Sequence, residues 1–433
     1  MSADASTATD NCVSLGEVGT FSRGRGGTKA DASLNGVPCV RYGDLYTHHD
    51  SVIREFASFI APESVARYTE LKRGDVVFAA SGETHDEIGK AAVYCGSEPA
   101  YAGADTIIFR PKDGVDARFL GYAVNAENAA RFKARYGQGS SVIHISAAHL
   151  QRLPIFLPPI AEQHRIAEIL DTLDEAILKA EEIIAKLQQM KQGLLHDLLT
   201  RGIDDNGELR DPERQPEKFQ DSPLGRVPVE WEVGPAASWC STITVGVVNS
   251  ATHAYVRDGV PFVRSQNVRA NRIETDELMF VTDWFNRQQS KSILRTGDLL
   301  LVRTGYPGTA AVVPLELDGG NCFSLILARP KHDIMDSHFM AEFINSPGAK
   351  SEIARMHFGS AQHNFNIGEM RQLPTPCPPL SEQVAVRAIL QSQEQRQQEE
   401  RAQLDKLHAL KRGLMDDLLA GRVRVTPAEE SAA

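Results

Sequence analysis

The sequence predicts an α+β protein built twice: two similar α/β globules separated by two long antiparallel coiled-coil helices in a pseudo-two-fold repeat. Three observations predict it. First, LPIFLPPIAEQ at 153–163 returns as LPTPCPPLSEQ at 373–383, and KQGLLHDLL at 191–199 returns as KRGLMDDLL at 411–419, both at an offset of 220 residues. Sixteen of 51 positions are identical between 151–201 and 371–421 without a gap, which is beyond chance. Second, each copy of that block carries apolar residues at alternating steps of four and three, the seam of a coiled coil. Third, the segments before each block hold short apolar runs bounded by Gly, Asp and Pro, as strands do.

The elements follow in order. Residues 1–152 form the first globule, where VPCV, DVVFAA, AAVYC and TIIFRP read as strands and 117–136 has helical spacing. Residues 153–202 form the central helix: Pro158-Pro159 stops the preceding strand, and Gly202 stands where a C-terminal glycine belongs. Its seam is Ile166, Leu170, Leu173, Ile177, Ala180, Ile184, Leu187, Leu194 and Leu198, broken once by Lys191. About 39 residues at 1.5 Å each give a rod of roughly 58 Å. Residues 203–232 read as a hydrophilic linker, and 233–372 as a second globule in which VPFV, DLLLV, AAVV and SLILARP mirror the strands. NGVPCVRYGDL (35–45) aligns with DGVPFVRSQNV (258–268), and KRGDVVFAASG (72–82) with RTGDLLLVRTG (295–305). Residues 373–421 form the second helix, with Val386, Leu390, Leu404, Leu407, Leu414 and Leu418 in register and Gln393, Gln397 and Glu400 making its middle polar. Residues 422–433 read as a disordered tail.

Composition narrows the function. The chain has 433 residues, 42% hydrophobic and 24% charged, which suits two or three globular domains. No apolar run approaches the roughly 20 residues of a membrane span, and the N-terminus does not read as a secretory signal. Six cysteines lie far apart with no C-x-x-C, which fits a reducing cytoplasm and neither a disulfide scaffold nor a zinc ribbon. The net charge of −11 argues against nucleic acid until it is divided: residues 1–150 carry −3, 151–232 carry −7, 233–370 carry −1, and the rest balances. The two globules are close to neutral, so a local basic face on each is compatible with the sequence.

Catalytic signatures fail one by one. Gly82 to Lys90 has neither Walker spacing nor its Ser/Thr, and there is no H-E-x-x-H and no G-x-S-x-G. His48-His49 lacks a third metal ligand. Pro158-Pro159 and Pro378-Pro379 follow leucine and cysteine, so the Asp/Asn-Pro-Pro-aromatic motif of amino-methyltransferases is missing. The chain is expected to be no enzyme, with no catalytic residue and no metal site.

Leu-Pro-x3-Pro-Pro-[Ile/Leu]-x-Glu-Gln, followed by a heptad helix ending in Lys-x-Gly-Leu-x-x-Asp-Leu-Leu, occurs twice behind two α/β globules. This resembles the specificity subunit of a type I restriction-modification system. The resemblance covers nearly the whole chain, except that the first globule begins almost at residue 1 with no leading helix. It implies a cytoplasmic DNA-reading subunit with two target recognition domains, acting in DNA methylation and phage defence. The implied partners are double-stranded DNA, two modification (methyltransferase) subunits and restriction (translocase-nuclease) subunits. S-adenosylmethionine, ATP and Mg belong to those partners and not to this chain. A 58 Å rod spans about 17 base pairs, enough for two short half-sites with an unread gap.

On that reading, candidate DNA contacts come from side-chain chemistry at repeated positions. Arg41 and Arg264 are equivalent, followed by divergent polar groups: Tyr42 and Asp44 in one copy, Gln266 and Asn267 in the other. A second matched loop holds Ser81 and Gly82 against Thr304 and Gly305, with Arg303 adjacent. A third holds Ser140, Ser141 and His144 against Ser360, Gln362, His363 and Asn364. Leucines beyond one seam (Leu194, Leu195, Leu198, Leu199, Leu414, Leu418) are candidate docking points for the modification subunits. The competing readings are a coiled-coil adaptor that ignores DNA and a nuclease or hydrolase built from scattered Asp, Glu and His.

Overall fold

The computed structural model describes residues 11–356 and 364–425. The chain divides into two compact units, Met1–Glu182 with Arg401–Ala433, and Ile183–Glu400. Each contains one globule and one half of each long helix.

In the first unit the main sheet orders Gly19–Arg23, Thr106–Pro111, Val76–Ala79, Ala91–Tyr94 and Val52–Ile53. In the second it orders Cys240–Val245, Leu325–Pro330, Leu299–Val302 and Ala310–Val312. The shared strands pair in the same order and sense. Val76 to Ala79 and Leu299 to Leu301 are fully buried, because both faces of each sheet are covered; that is why these strands read as continuous apolar runs. A smaller sheet repeats too: Ala32–Val40 runs parallel to Ala100–Ala102, and Val260–Val263 parallel to Asn321–Cys322.

Invariants of the repeat acquire physical roles. Asp75 holds Arg110 through two 2.7 Å bonds, and Asp298 holds Arg329 through two more of the same length. The stretch 117–136, continuous by its spacing, is two helices, Ala117–Ala123 and Glu127–Tyr136. Its counterpart is Ser337–Asn345 and Pro347–Met356. Asn125 turns the backbone of the first copy by bonding both backbone groups of Ala91, and Asn345 bonds both of Ala310. In the second copy Pro347 also disfavours helical backbone at Ser346.

The central helix spans Ile160–Thr200 and the C-terminal helix Leu380–Leu419. In the first unit Ile166 and Leu170 share a core with Leu414 and Leu418; in the second, Val386 and Leu390 share one with Leu194 and Leu198. In each unit the start of one helix meets the end of the other, so the pair is antiparallel. The seam break Lys191 bonds Glu394 (3.3 Å), and its counterpart Lys411 bonds Asp174 (2.6 Å) and Asp50.

The Glu-Gln of the repeated block is a double clasp. Gln163 accepts from the Asp116 amide and donates to the Pro158 carbonyl, while Gln383 accepts from the Asp336 amide and donates to the Pro378 carbonyl. Each glutamine ties its helix to its globule. Glu162 receives Arg424 beyond the end of the C-terminal helix, and Glu382 receives Arg210 beyond the end of the central one. The Arg424 guanidinium holds the Glu162 carboxyl below the usual carboxylate range. The stretch 203–232 is therefore folded: it carries Arg210, the hairpin Phe219–Ser222 with Gly225–Pro228, and Trp231, which is buried and donates to Glu382. Arg424 and the Val425 amide are likewise bound to Glu162, so the expected disordered tail is packed through residue 425; its remainder lies outside the described residues.

Candidate nucleic-acid interface

In each globule one strand of the smaller sheet ends in an extended arginine. Arg41 follows Ala32–Val40 and Arg264 follows Val260–Val263. The Arg41 amide donates to the Asp44 carboxylate at 2.9 Å, and the Arg264 amide to the Asn267 side chain at 3.0 Å. Asp44 and Asn267 are buried and also bonded to Ser58 and to the Glu274 carbonyl. They shape the turn, a use of polar side chains that their expected role as base readers did not include. The arginines are different. Arg41 has its Nε and Nη2 buried without a hydrogen-bond partner, and Arg264 its Nε. Buried donors left unsatisfied at matching positions need an explanation, such as a ligand that completes them. Tyr42 and Gln266 beside them are exposed.

The second and third predicted loops meet in both copies. Ile143–His144 pairs with Ser81–Gly82, and Ser81 Oγ lies 2.9 Å from His144 Nδ1. In the second unit the Phe365 amide donates to the Arg303 carbonyl, and Arg303 Nε reaches the Phe365 carbonyl at 3.4 Å. Asn364 adjoins that contact, Thr304 is exposed, and Ser360, Gln362 and His363 lie outside the described residues. Ser140 and Ser141 are exposed in the loop leading to His144.

Ser81 and His144 line a polar cleft of about 480 Å³ with Arg23 and Asp105, two residues the sequence reading missed. Asp105 has a left-handed backbone (φ 60°) and so does its counterpart Ser324 (φ 54°), which is uncommon away from glycine. Only Asp105's place at the head of the repeated strand hinted at it. The Ser81 hydroxyl also faces Asp105 at 3.4 Å. Serine thus sits between histidine and aspartate, so Asp105 does not orient the imidazole as the carboxylate of a hydrolytic triad does. Among the described residues no three metal-ligating side chains cluster, and none of the helices is long and apolar enough to cross a membrane. His48 is exposed while His49 is buried, and burial pushes the His49 imidazole down from its ordinary range.

The leucines expected to dock partners are covered by their own chain. Leu198 and Leu199 are core residues of the second unit with Leu194 and Leu195 packed on them, and Leu418 is core in the first with Leu414 against it. A lone helix seam could not bury these doublets, but the globules supply the extra walls. Among the described residues two matched apolar pairs 220 residues apart stay exposed, Met190 with Leu410 at 60% and 51%, and Ile160 with Leu380 at 40% and 36%.

Residues 11–189 match the model of the type I restriction modification DNA specificity domain. The type I restriction enzyme MjaVIII specificity subunit of Methanocaldococcus jannaschii is 23% identical over 322 residues, covering 72% of this chain and 71% of its own. The EcoBI specificity subunit of Escherichia coli is 23% identical over 371 residues, covering 81% and 71%. The crystal structure of the type I S subunit from M. genitalium shares the fold, with a TM-score of 0.56 at 12% identity over 96% of both chains. The likeness to the specificity subunits of type I restriction-modification systems thus runs along both halves of this chain, and its first half matches the model of that family's DNA specificity domain.

Proposed function

We propose that this chain is the non-catalytic, sequence-reading subunit of a cytoplasmic type I restriction-modification complex, each globule reading one half of a bipartite DNA target. The observation that carries this is the twice-built arginine, Arg41 and Arg264, with buried unsatisfied donors at matching positions. Arginine is the side chain suited to phosphate or guanine. The scaffold around each arginine is shared while the neighbours differ, so the two half-sites differ in sequence. The remaining contacts are Arg23, Tyr42, Ser81, Asp105, Ser140, Ser141 and His144 in one globule, and Gln266, Arg303, Thr304 and Asn364 in the other. The helices set the gap, and Met190 and Leu410 each seat one modification subunit. Methyl transfer from S-adenosylmethionine, and the ATP- and Mg-dependent steps of the restriction subunits, belong to those partners.

The test is binding by the chain assembled with its modification subunits to duplex carrying the site that methylome sequencing reveals. Arg41→Ala and Arg264→Ala should each weaken binding about 5- to 150-fold, the equivalent of about 1–3 kcal/mol per arginine contact, and leave assembly intact. Unchanged affinity in both would favour the adaptor reading.

A further inference from the structure

Tyr306 is 81% exposed, yet its loop is not loose. The segment RTGYPG (303–308) turns on Gly305 (φ 85°) and Gly308 (φ 73°), with Pro307 between them. The Gly308 amide donates to the Val302 carbonyl, and the Thr309 amide to the Tyr306 carbonyl. From beneath, Lys350 Nζ donates to the Pro307 carbonyl at 3.3 Å, and a Cβ at Gly308 would press on Ile353. Burial pushes the Lys350 ammonium down to about 8, as befits a cation set under a loop. The result is an aromatic ring held in solvent by a braced turn, three residues from Arg303 and two from Thr304. The aligned position of the first globule holds the charged Glu83, so an exposed ring on this turn is particular to the second globule.

We infer that Tyr306 is an aromatic wedge that enters one base step of the half-site read by the second globule and unstacks it. This rests on the proposed DNA-reading function and adds an asymmetry to it, because Glu83 cannot act as a wedge. Aromatic residues that contact bases do so through the π-face, and apolar or aromatic wedges partly open the step they enter. Lys350 is a positioning residue for the ring.

The experiment uses the full chain with its modification subunits and a duplex carrying the methylome-defined site, with 2-aminopurine placed in turn at each position of both half-sites. The expected result is a fluorescence rise on binding at one step of one half-site only. Tyr306→Ala should abolish that rise and weaken binding about 10- to 100-fold, while Tyr306→Phe keeps both. A rise of equal size in both half-sites, no rise anywhere despite tight binding, or Tyr306→Ala binding DNA like the parent would overturn the inference and leave the DNA-reading function standing. Loss of modification-subunit recruitment in Tyr306→Ala, with the rise retained, would make the ring a protein contact instead. Absence of any sequence-dependent DNA binding by the parent complex is the separate outcome that refutes the underlying function.

Discussion

At the residue scale the clearest logic lies in Glu162 and Glu382. The sequence marks both as repeated, but their work depends on arginines remote in the chain. Arg210 and Glu382 are both buried, with side chains 8% and 7% exposed. Removing one partner leaves a buried charge, so Glu382→Ala should cost about 3–5 kcal/mol in thermal unfolding. Glu382→Gln, which keeps an acceptor for Trp231, should cost less. Glu162 adds a pH dependence. Its carboxyl is lowered in the folded chain, so its stabilisation is complete above the unfolded value of about 4.3 and drains away as pH falls through the lower folded value. Glu162→Gln should flatten that acid limb in a series of melting curves, and an unchanged limb would refute the assignment. Asp44 and Asn267 teach the converse lesson. Polar chemistry at a repeated position reads as readout by residue type, while the carboxylate or amide three residues past an extended arginine also holds the turn.

At the scale of the element, the heptad seam was legible because burial follows period. Every apolar seam position from Ile166 to Leu198 is buried or half-buried, as are the polar Gln393, Gln397 and Glu400. Gln397 is 9% exposed and its amide nitrogen has no hydrogen-bond partner. An unsatisfied buried polar group costs about 1–3 kcal/mol, so Gln397→Leu should raise the melting temperature. The leucine doublets pack within their own chain, and helical periodicity by itself cannot say whether a second apolar face meets a partner or the chain's own globule. The broken helix at 124–126 escaped for a related reason: helical spacing persists across it, and only the pairing of Asn125 with Ala91 reveals the turn.

For the whole molecule, the sequence repeat and the folding unit are different divisions of the chain. The repeat runs globule then helix, but each compact unit borrows half of the other repeat's helix. A chain ending at Glu400 should therefore lose the first unit's Leu414, Leu418, Leu419 and Arg424 and keep every residue of the second. Hydrogen exchange should show lost protection across 117–174 and retained protection across 236–345. Uniform loss, or none, would contradict this division.

The sequence by itself determined the duplication, the strands, the two long helices and the family they resemble. Each of these is written in local period or in identity at a fixed offset, which needs no knowledge of what lies nearby in space. Only the tertiary structure decided which polar residues are spent on turns, where the clasping arginines come from, which leucines are covered, and that Asp105 and Arg23 share a cleft with Ser81 and His144. Those depend on contacts between residues far apart in the chain, and burial and pairing are properties of such contacts rather than of any residue type.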